Sequence, residues 1–231
     1  MIQPPDRNAL RRIVIKIGSS LVVDELGAIR AAWMQAMAQD IAHWCAEGVE
    51  IVLVSSGAVA LGRRALGMVD KTLALPEKQA AAACGQPLLI QAWQQPFAAQ
   101  DVMLAQILLS PRDTEDRRAY LNARNTFSTL LAQHIIPVVN ENDTTATAEL
   151  RYGDNDRLAA RVAQMVSADT LILLSDVPGL YTSNPRTHSD ATHLPIITHI
   201  TPEIEAMAGP AASHRSNGGM VTKIQAAKIA H

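Results

Sequence analysis

A chain of 231 residues can bury one large core or two apposed lobes. A formal charge of −2 leaves no basic footprint for nucleic acid, and no apolar run approaches the ~18 residues of a membrane span. The apolar share of 48% with only 3% aromatics favours a helix-rich α/β protein over an all-β sandwich.

Residues 1–12 hold Pro4, Pro5 and mixed charge without an apolar segment before a cleavage site, so a cytoplasmic protein is expected. Ile13, Val14, Ile15 and Ile17 predict a short buried strand stopped by Gly18, Ser19 and Ser20. Residues 29–47 predict a helix with Trp33, Met37, Ile41 and Trp44 on one face and Gly48 placed to end it. A second strand over 49–54 runs into Ser55, Ser56 and Gly57, and a helix follows over 58–66. The next helical region, 76–100, should break at 85–87, because Pro87 disfavours helix at the residue before it. A strand over 102–109, a helix over 121–133, a strand over 135–139, a helix over 154–166 and a strand over 170–174 complete the alternation. Pro178 and Gly179 centre a turn. Residues 209–219, poor in large apolar side chains, predict a mobile loop, and 220–231 a last helix. Strands alternating with helices predict a mainly parallel sheet covered on both faces, a three-layer α/β/α sandwich.

Two polar clusters stand out. Asn140, Glu141, Asn142 and Asp143 end an apolar strand, and Gly153, Asp154, Asn155 and Asp156 open a helix. A helix start needs one capping residue rather than three, and ligands gather where strands of an α/β sheet end. Three strands end in small residues, at 18–20, 55–57 and 175–176, an edge suited to phosphates through close backbone approach and free N–H groups. Neither the Walker pattern nor the dinucleotide glycine pattern is present. Two isolated lysines remain: Lys16 inside an apolar strand, and Lys223 just after Gly218, Gly219 and Met220. For each, the ordinary alternative is a side chain pointing at water. Cys45 and Cys84 read as small structural hydrophobes, and His188, His193 and His199 as surface loop residues. No spacing among the seven histidines suggests a metal site.

Lys16-Ile17-Gly18-Ser19-Ser20, Val54-Ser55-Ser56-Gly57-Ala58-Val59, the two polar clusters, Asp176 with Gly179-Leu180-Tyr181-Thr182, and Gly218-Gly219-Met220-Val221-Thr222-Lys223 stand in a familiar order. Together with Leu121-Asn122-Ala123-Arg124 they resemble the glutamate 5-kinases, members of the amino-acid kinase family, over residues 12–230. The resemblance implies the carbamate-kinase-like fold of that family and ATP-dependent phosphorylation of the side-chain carboxylate of L-glutamate, the first step of proline biosynthesis. It implies that Lys16 and Lys223 flank the transferring phosphoryl group and that Asp156 holds both. Ser56, Asn140, Asp143 and Asn155 would bind glutamate. Lys16, Ser175, Asp176, Asn217, Gly218, Gly219, Met220, Val221, Thr222 and Lys223 would contact ATP, with Mg²⁺ carried by its phosphates. It also implies residues 1–167 as an amino-acid lobe, 168–231 as a nucleotide lobe, proline as feedback inhibitor, and a dimer or tetramer.

The chemistry agrees with this division. A side-chain carboxylate, with an ordinary pKa of about 4.3, is already ionised at neutral pH, so no general base is needed. What is needed is cationic neutralisation around the transferring oxygens. Asp143 suits a free α-ammonium group better than an acylated nitrogen. Two departures are visible: Ser216-Asn217 stands where the family usually has Gly-Thr, and the family's later strands, helices and PUA domain do not follow His231, so the nucleotide lobe is expected to be incomplete. The rival readings are a kinase of another carboxylate, carbamate or nucleoside monophosphate, and a non-catalytic glutamate or proline sensor. Residues 144–151 are expected to cover the amino-acid pocket.

Overall fold

The alternation within β1 (Arg12–Ile17) divides the molecule into layers. In the computed structural model, which describes residues 10–144, 154–209 and 219–231, Ile13, Ile15 and Ile17 face one core and Val14 faces another. The first core is closed by α1 (Ser19–Val22), α2 (Ala31–Ala46), α3 (Ala58–Ala65) and α4 (Leu75–Ala98), through Val22, Met34, Ile41, Leu61, Leu89, Trp93 and Phe97. The second is closed by α6 (Arg117–Ala132) and α7 (Asn155–Met165), through Phe127, Leu131, Leu158 and Val162. Strands β2 (Glu50–Ser55), β3 (Leu104–Leu109), β4 (Ile136–Glu141) and β5 (Thr170–Leu174) join β1 in the order β3-β4-β2-β1-β5, every neighbouring pair parallel. This is the expected three-layer sandwich, and its parallel strands bring all their carboxyl ends to one edge. The short α5 (Pro111–Glu115) precedes α6; β6 (Leu180–Tyr181) and β7 (His193–Leu194) form an antiparallel pair, then α8 (Pro202–Met207) and α9 (Met220–Ala230) follow. His193 therefore belongs to a strand, with its ring 5.1 Å from that of Tyr181.

Several expected boundaries shift, each for a physical reason. The break at 85–87 does not occur: α4 is one helix of 24 residues with Pro87 and Pro96 inside it. Ala83 and Pro87 are both exposed, so water can take the carbonyl that Pro87 leaves without a donor. On the other side, α4 lies backbone to backbone against α3. A Cβ on Gly62 would sit 1.7 Å from the Ala81 carbonyl oxygen, and one on Gly85 1.8 Å from that of Ala58. That contact, with Leu89, Trp93 and Phe97 buried below it, outweighs the lost hydrogen bond. β4 runs two residues further than the apolar pattern suggested, so Asn140 and Glu141 belong to the strand and are 4% and 7% exposed. Pro137 is tolerated inside β4 because pairing with β2 starts only at Val138. α6 begins four positions early, where the Asp116 side chain accepts the Ala119 N–H at 2.8 Å. Cys84 is exposed rather than buried, whereas Cys45 is half-buried, its thiol pushed up to about 11 by desolvation.

Candidate active site

Position in the sheet decides what Lys16 can do. Its backbone pairs with Val54 of β2 on one side and Leu173 of β5 on the other, so β1 is no edge strand. The side chain follows Val14 onto the α7 face and is 8% exposed. There its Nζ lies 2.6 Å from Oδ1 of Asp156, in the first turn of α7, a carboxylate with 0% exposure. Lys223, in the first turn of α9, places its Nζ 3.1 Å from Oδ2 of the same carboxylate. Thr222 donates its hydroxyl to that Oδ2 at 2.7 Å and accepts the Gly219 N–H at 3.0 Å, tying the start of α9 to the cluster. Burial pushes the Asp156 carboxyl up, but the charges of Lys16 and then Lys223, with hydrogen bonds from Lys16 and Thr222, overcome it and hold the pKa below the usual value. Two ammonium groups thus share one carboxylate.

Around them the ends of β1, β2, β4 and β5 open into a cavity of about 2520 Å³. Lys16, Ser56, Asn140, Asp143, Asn155, Ser175, Asp176, Gly219, Met220, Val221 and Lys223 line it, while Asp156 and Thr222 stand behind the lysines. Asn217 and Gly218 lie outside the described residues, as does all of the 144–151 segment beyond Thr144 and most of the 209–219 loop. The other catalytic and binding candidates gather at this edge.

The half of the cavity below β2 and β4 is amide-rich and acidic. Asn155 Nδ2 donates to Ser56 Oγ at 2.8 Å and to Asn140 Oδ1 at 2.9 Å. Asn140 Nδ2 in turn donates to Gln86 Oε1 at 2.8 Å. Ser55, beside Ser56, is held from the core by the Trp93 Nε1–H at 2.9 Å. Glu141, Asp143 and Asp154 also line this half. Asp154 caps α7 by accepting the Arg157 N–H at 2.9 Å, and its pKa is raised, first by desolvation and further by the neighbouring Asp156 charge. Sequence reasoning missed Gln86; it placed Glu141 and Asp154 in the polar clusters without giving either a role. Gln86 carried no signal once the helix was expected to break around it.

On the β5 side, Asp176 accepts Arg186 Nη2 at 2.7 Å, and this bond chiefly lowers its pKa. Arg186 was not anticipated. The first turn of α9 turns its backbone N–H groups toward the side of Lys223, and helix starts of this kind suit a polyphosphate. Among the described residues no group of three acidic, histidine or cysteine side chains converges as a metal cage; a divalent ion can be held largely by phosphate and water oxygens.

At the carboxyl edge of this parallel α/β sheet, paired cations thus stand beside an amide-rich lining that carries carboxylates. Residues 11–230 match the model of the amino acid kinase family, and the chain belongs to that family. It is 57% identical over 222 residues to a glutamate 5-kinase of Paramagnetospirillum magneticum, a match covering 96% of this chain and 60% of that protein. The glutamate 5-kinase of Caulobacter vibrioides is 56% identical over 225 residues, again 96% and 60%. That of Rhizobium etli is 57% identical over 220 residues, 95% of this chain and 57% of its own. The chain thus spans about three fifths of the length of the curated relatives it matches.

Proposed function

We propose that this chain carries the glutamate 5-kinase activity named for its relatives: transfer of the γ-phosphoryl group of ATP to the side-chain carboxylate of L-glutamate. One observation carries the reading. Lys16 and Lys223 contact a single buried carboxylate, two ammonium groups on one carboxylate, and they face a cavity that carries Glu141, Asp143 and Asp154 beside Asn140 and Asn155. A site graded in this way suits a substrate with an ammonium group at one end and a carboxylate at the other. The α-ammonium of glutamate would lie toward Asp143, and its distal carboxylate toward the lysines. A carboxylate oxygen attacks the γ-phosphorus, the bond to the ADP oxygen breaks, and ADP leaves. Lys16 and Lys223 offset the charge on the oxygens in transit, while Asp156 holds and aims both. Mg²⁺, carried on the nucleotide phosphates, would add charge neutralisation.

Ser56, Asn140, Asp143 and Asn155 serve the amino acid in this reading, and Ser175, Asp176 and residues 217–223 the nucleotide. Residues 1–167 then form the amino-acid lobe and 168–231 the nucleotide lobe, although β5 of the latter pairs directly with β1 of the former. Proline as an inhibitor competing for the amino-acid half, a homo-oligomeric assembly and a cytoplasmic location belong to the same proposal. Among the described residues no helix is long and apolar enough to cross a membrane. The test is direct. Intact protein with L-glutamate, ATP, Mg²⁺ and hydroxylamine should yield the γ-hydroxamate, each component being required. A folded preparation that forms none overturns the proposal.

A further inference from the structure

The amide chain behind the acidic half of the cleft has a direction, and that direction decides what the cleft offers a ligand. Asn155 spends both N–H groups of its carboxamide on Ser56 Oγ and Asn140 Oδ1, so its own Oδ1 is the atom left for the cavity. Reversed, the same chain of atoms would turn Asn140 Oδ1 toward position 86 and present an N–H of Asn155 to the cavity. An acceptor there attracts an ammonium group; a donor meets it with the wrong polarity. Ser56 cannot choose between these states, because a hydroxyl both donates and accepts. Asn140, 4% exposed, has its Nδ2 committed to Gln86 Oε1 at 2.8 Å. Gln86 is the far end of the relay. It projects from α4 and does not line the cavity.

We propose that Gln86 is a positioning residue for amino-acid recognition: its Oε1 sets the direction of the Gln86–Asn140–Asn155–Ser56 relay and thereby turns the Asn155 carbonyl toward a free α-ammonium group. The inference rests on glutamate being the acceptor of the phosphoryl group. Removing the Oε1 leaves a buried Asn140 N–H without its partner and frees the relay to reverse, and both weaken glutamate without touching the nucleotide side.

Two substitutions separate this from a packing role. Gln86→Met keeps the length of the side chain and removes its hydrogen bonding; Gln86→Glu keeps an acceptor and only an acceptor while ionised. Gln86→Met should raise KM for L-glutamate about tenfold, with kcat and KM for ATP within about twofold. It should also cut the preference for L-glutamate over glutarate, which lacks the amino group, by about tenfold. Gln86→Glu should remain within about threefold of wild type in all of these. Gln86→Lys, a donor only, supplies a second route should Gln86→Met melt early: it should lose glutamate affinity by calorimetry with Tm unchanged. The inference is overturned if Gln86→Met or Gln86→Lys binds glutamate as wild type does. It is equally overturned if Met and Glu variants lose affinity alike while the preference over glutarate stays intact. Wild-type protein inactive on glutamate sinks the activity and this inference together, whereas an active wild type with unaltered variants sinks the inference alone.

Discussion

The two edges of the sheet both carry charged side chains and use them in opposite ways. At the amino edge, Arg12 pairs with Glu50 through Nε at 2.7 Å and reaches the Val166 carbonyl, while Asp169 accepts the backbone N–H groups of Arg11 and Arg12 at 2.8 and 2.7 Å. Arg12, Glu50 and Asp169 there each meet an opposite charge or a backbone group, and water screens them. At the carboxyl edge, Lys16, Lys223 and Asp156 are far more buried and their charges do not balance. Stability alone gives no reason to bury a second ammonium group beside one carboxylate, because desolvation costs several kcal/mol per ion. The amino edge is built to finish helices and strands. The carboxyl edge is left wanting an anion.

The sharpest way to break this contrast is Lys16→Met. If the lysine serves the phosphoryl group, turnover should fall by about a thousandfold or more. Tm should hold or rise slightly, since Asp156 and Lys223 then form a neutral pair. A variant that unfolds while its residual folded fraction turns over normally would make Lys16 a structural residue like Arg12. Asp156→Asn is the converse. It strands one buried and one half-buried ammonium group and should cost about 3–5 kcal/mol of stability, near 10 °C in Tm. The wild type adds a pH signature. Because the folded-state pKa of Asp156 lies below its ordinary value, its contribution is present above the ordinary carboxylate range and is lost as pH falls through that range and below. Acid-unfolding curves should show that slope in the wild type and a shallower one in Asp156→Asn.

A smaller effect tests the scaffold that links core to cleft. Gly62→Ala would bring a Cβ within 1.7 Å of the Ala81 carbonyl oxygen, so α3 and α4 must part. The helix-propensity gain of roughly 1 kcal/mol does not offset this, and a net loss of about 2 kcal/mol is expected. Since α4 carries Gln86 and α3 follows directly on Ser56 and Gly57, KM for glutamate should rise in the same variant. An unchanged KM at reduced Tm would uncouple the helix contact from the site.

How much of this was visible in the sequence depends on whether a residue's signal was local. Lys16 breaks an apolar run, and Asp156 adds a third polar residue to a helix start, so both were legible before any coordinate. That they touch was legible only through the family resemblance, because 140 residues separate them and the parallel pairing of β1, β2 and β4 is what brings α7 over β1. The layers followed from alternating patterns. The errors fell where tertiary contact overrode a local rule: Pro87 reads as a breaker because the close packing of Gly62 and Gly85 against the opposite helix has no sequence signature. That misreading also hid Gln86. Asn140 and Glu141 read as loop because polar residues in a buried strand make sense only when their partners are known.

The mildest test returns to the amino edge. Asp169 lies on the surface, where its carboxylate ties down the N–H groups of Arg11 and Arg12, bonds that hold its pKa below the usual value. Asp169→Ala removes both bonds, but water replaces much of what is lost, so about 1 kcal/mol and 2–4 °C in Tm are expected. kcat and both KM values should stay within about twofold, because the change lies at the far end of β1 from Lys16. A tenfold loss of turnover would mean that the position of β1 is set from its amino end. The two edges would then be one device, and the division between a finishing edge and a working edge would fail.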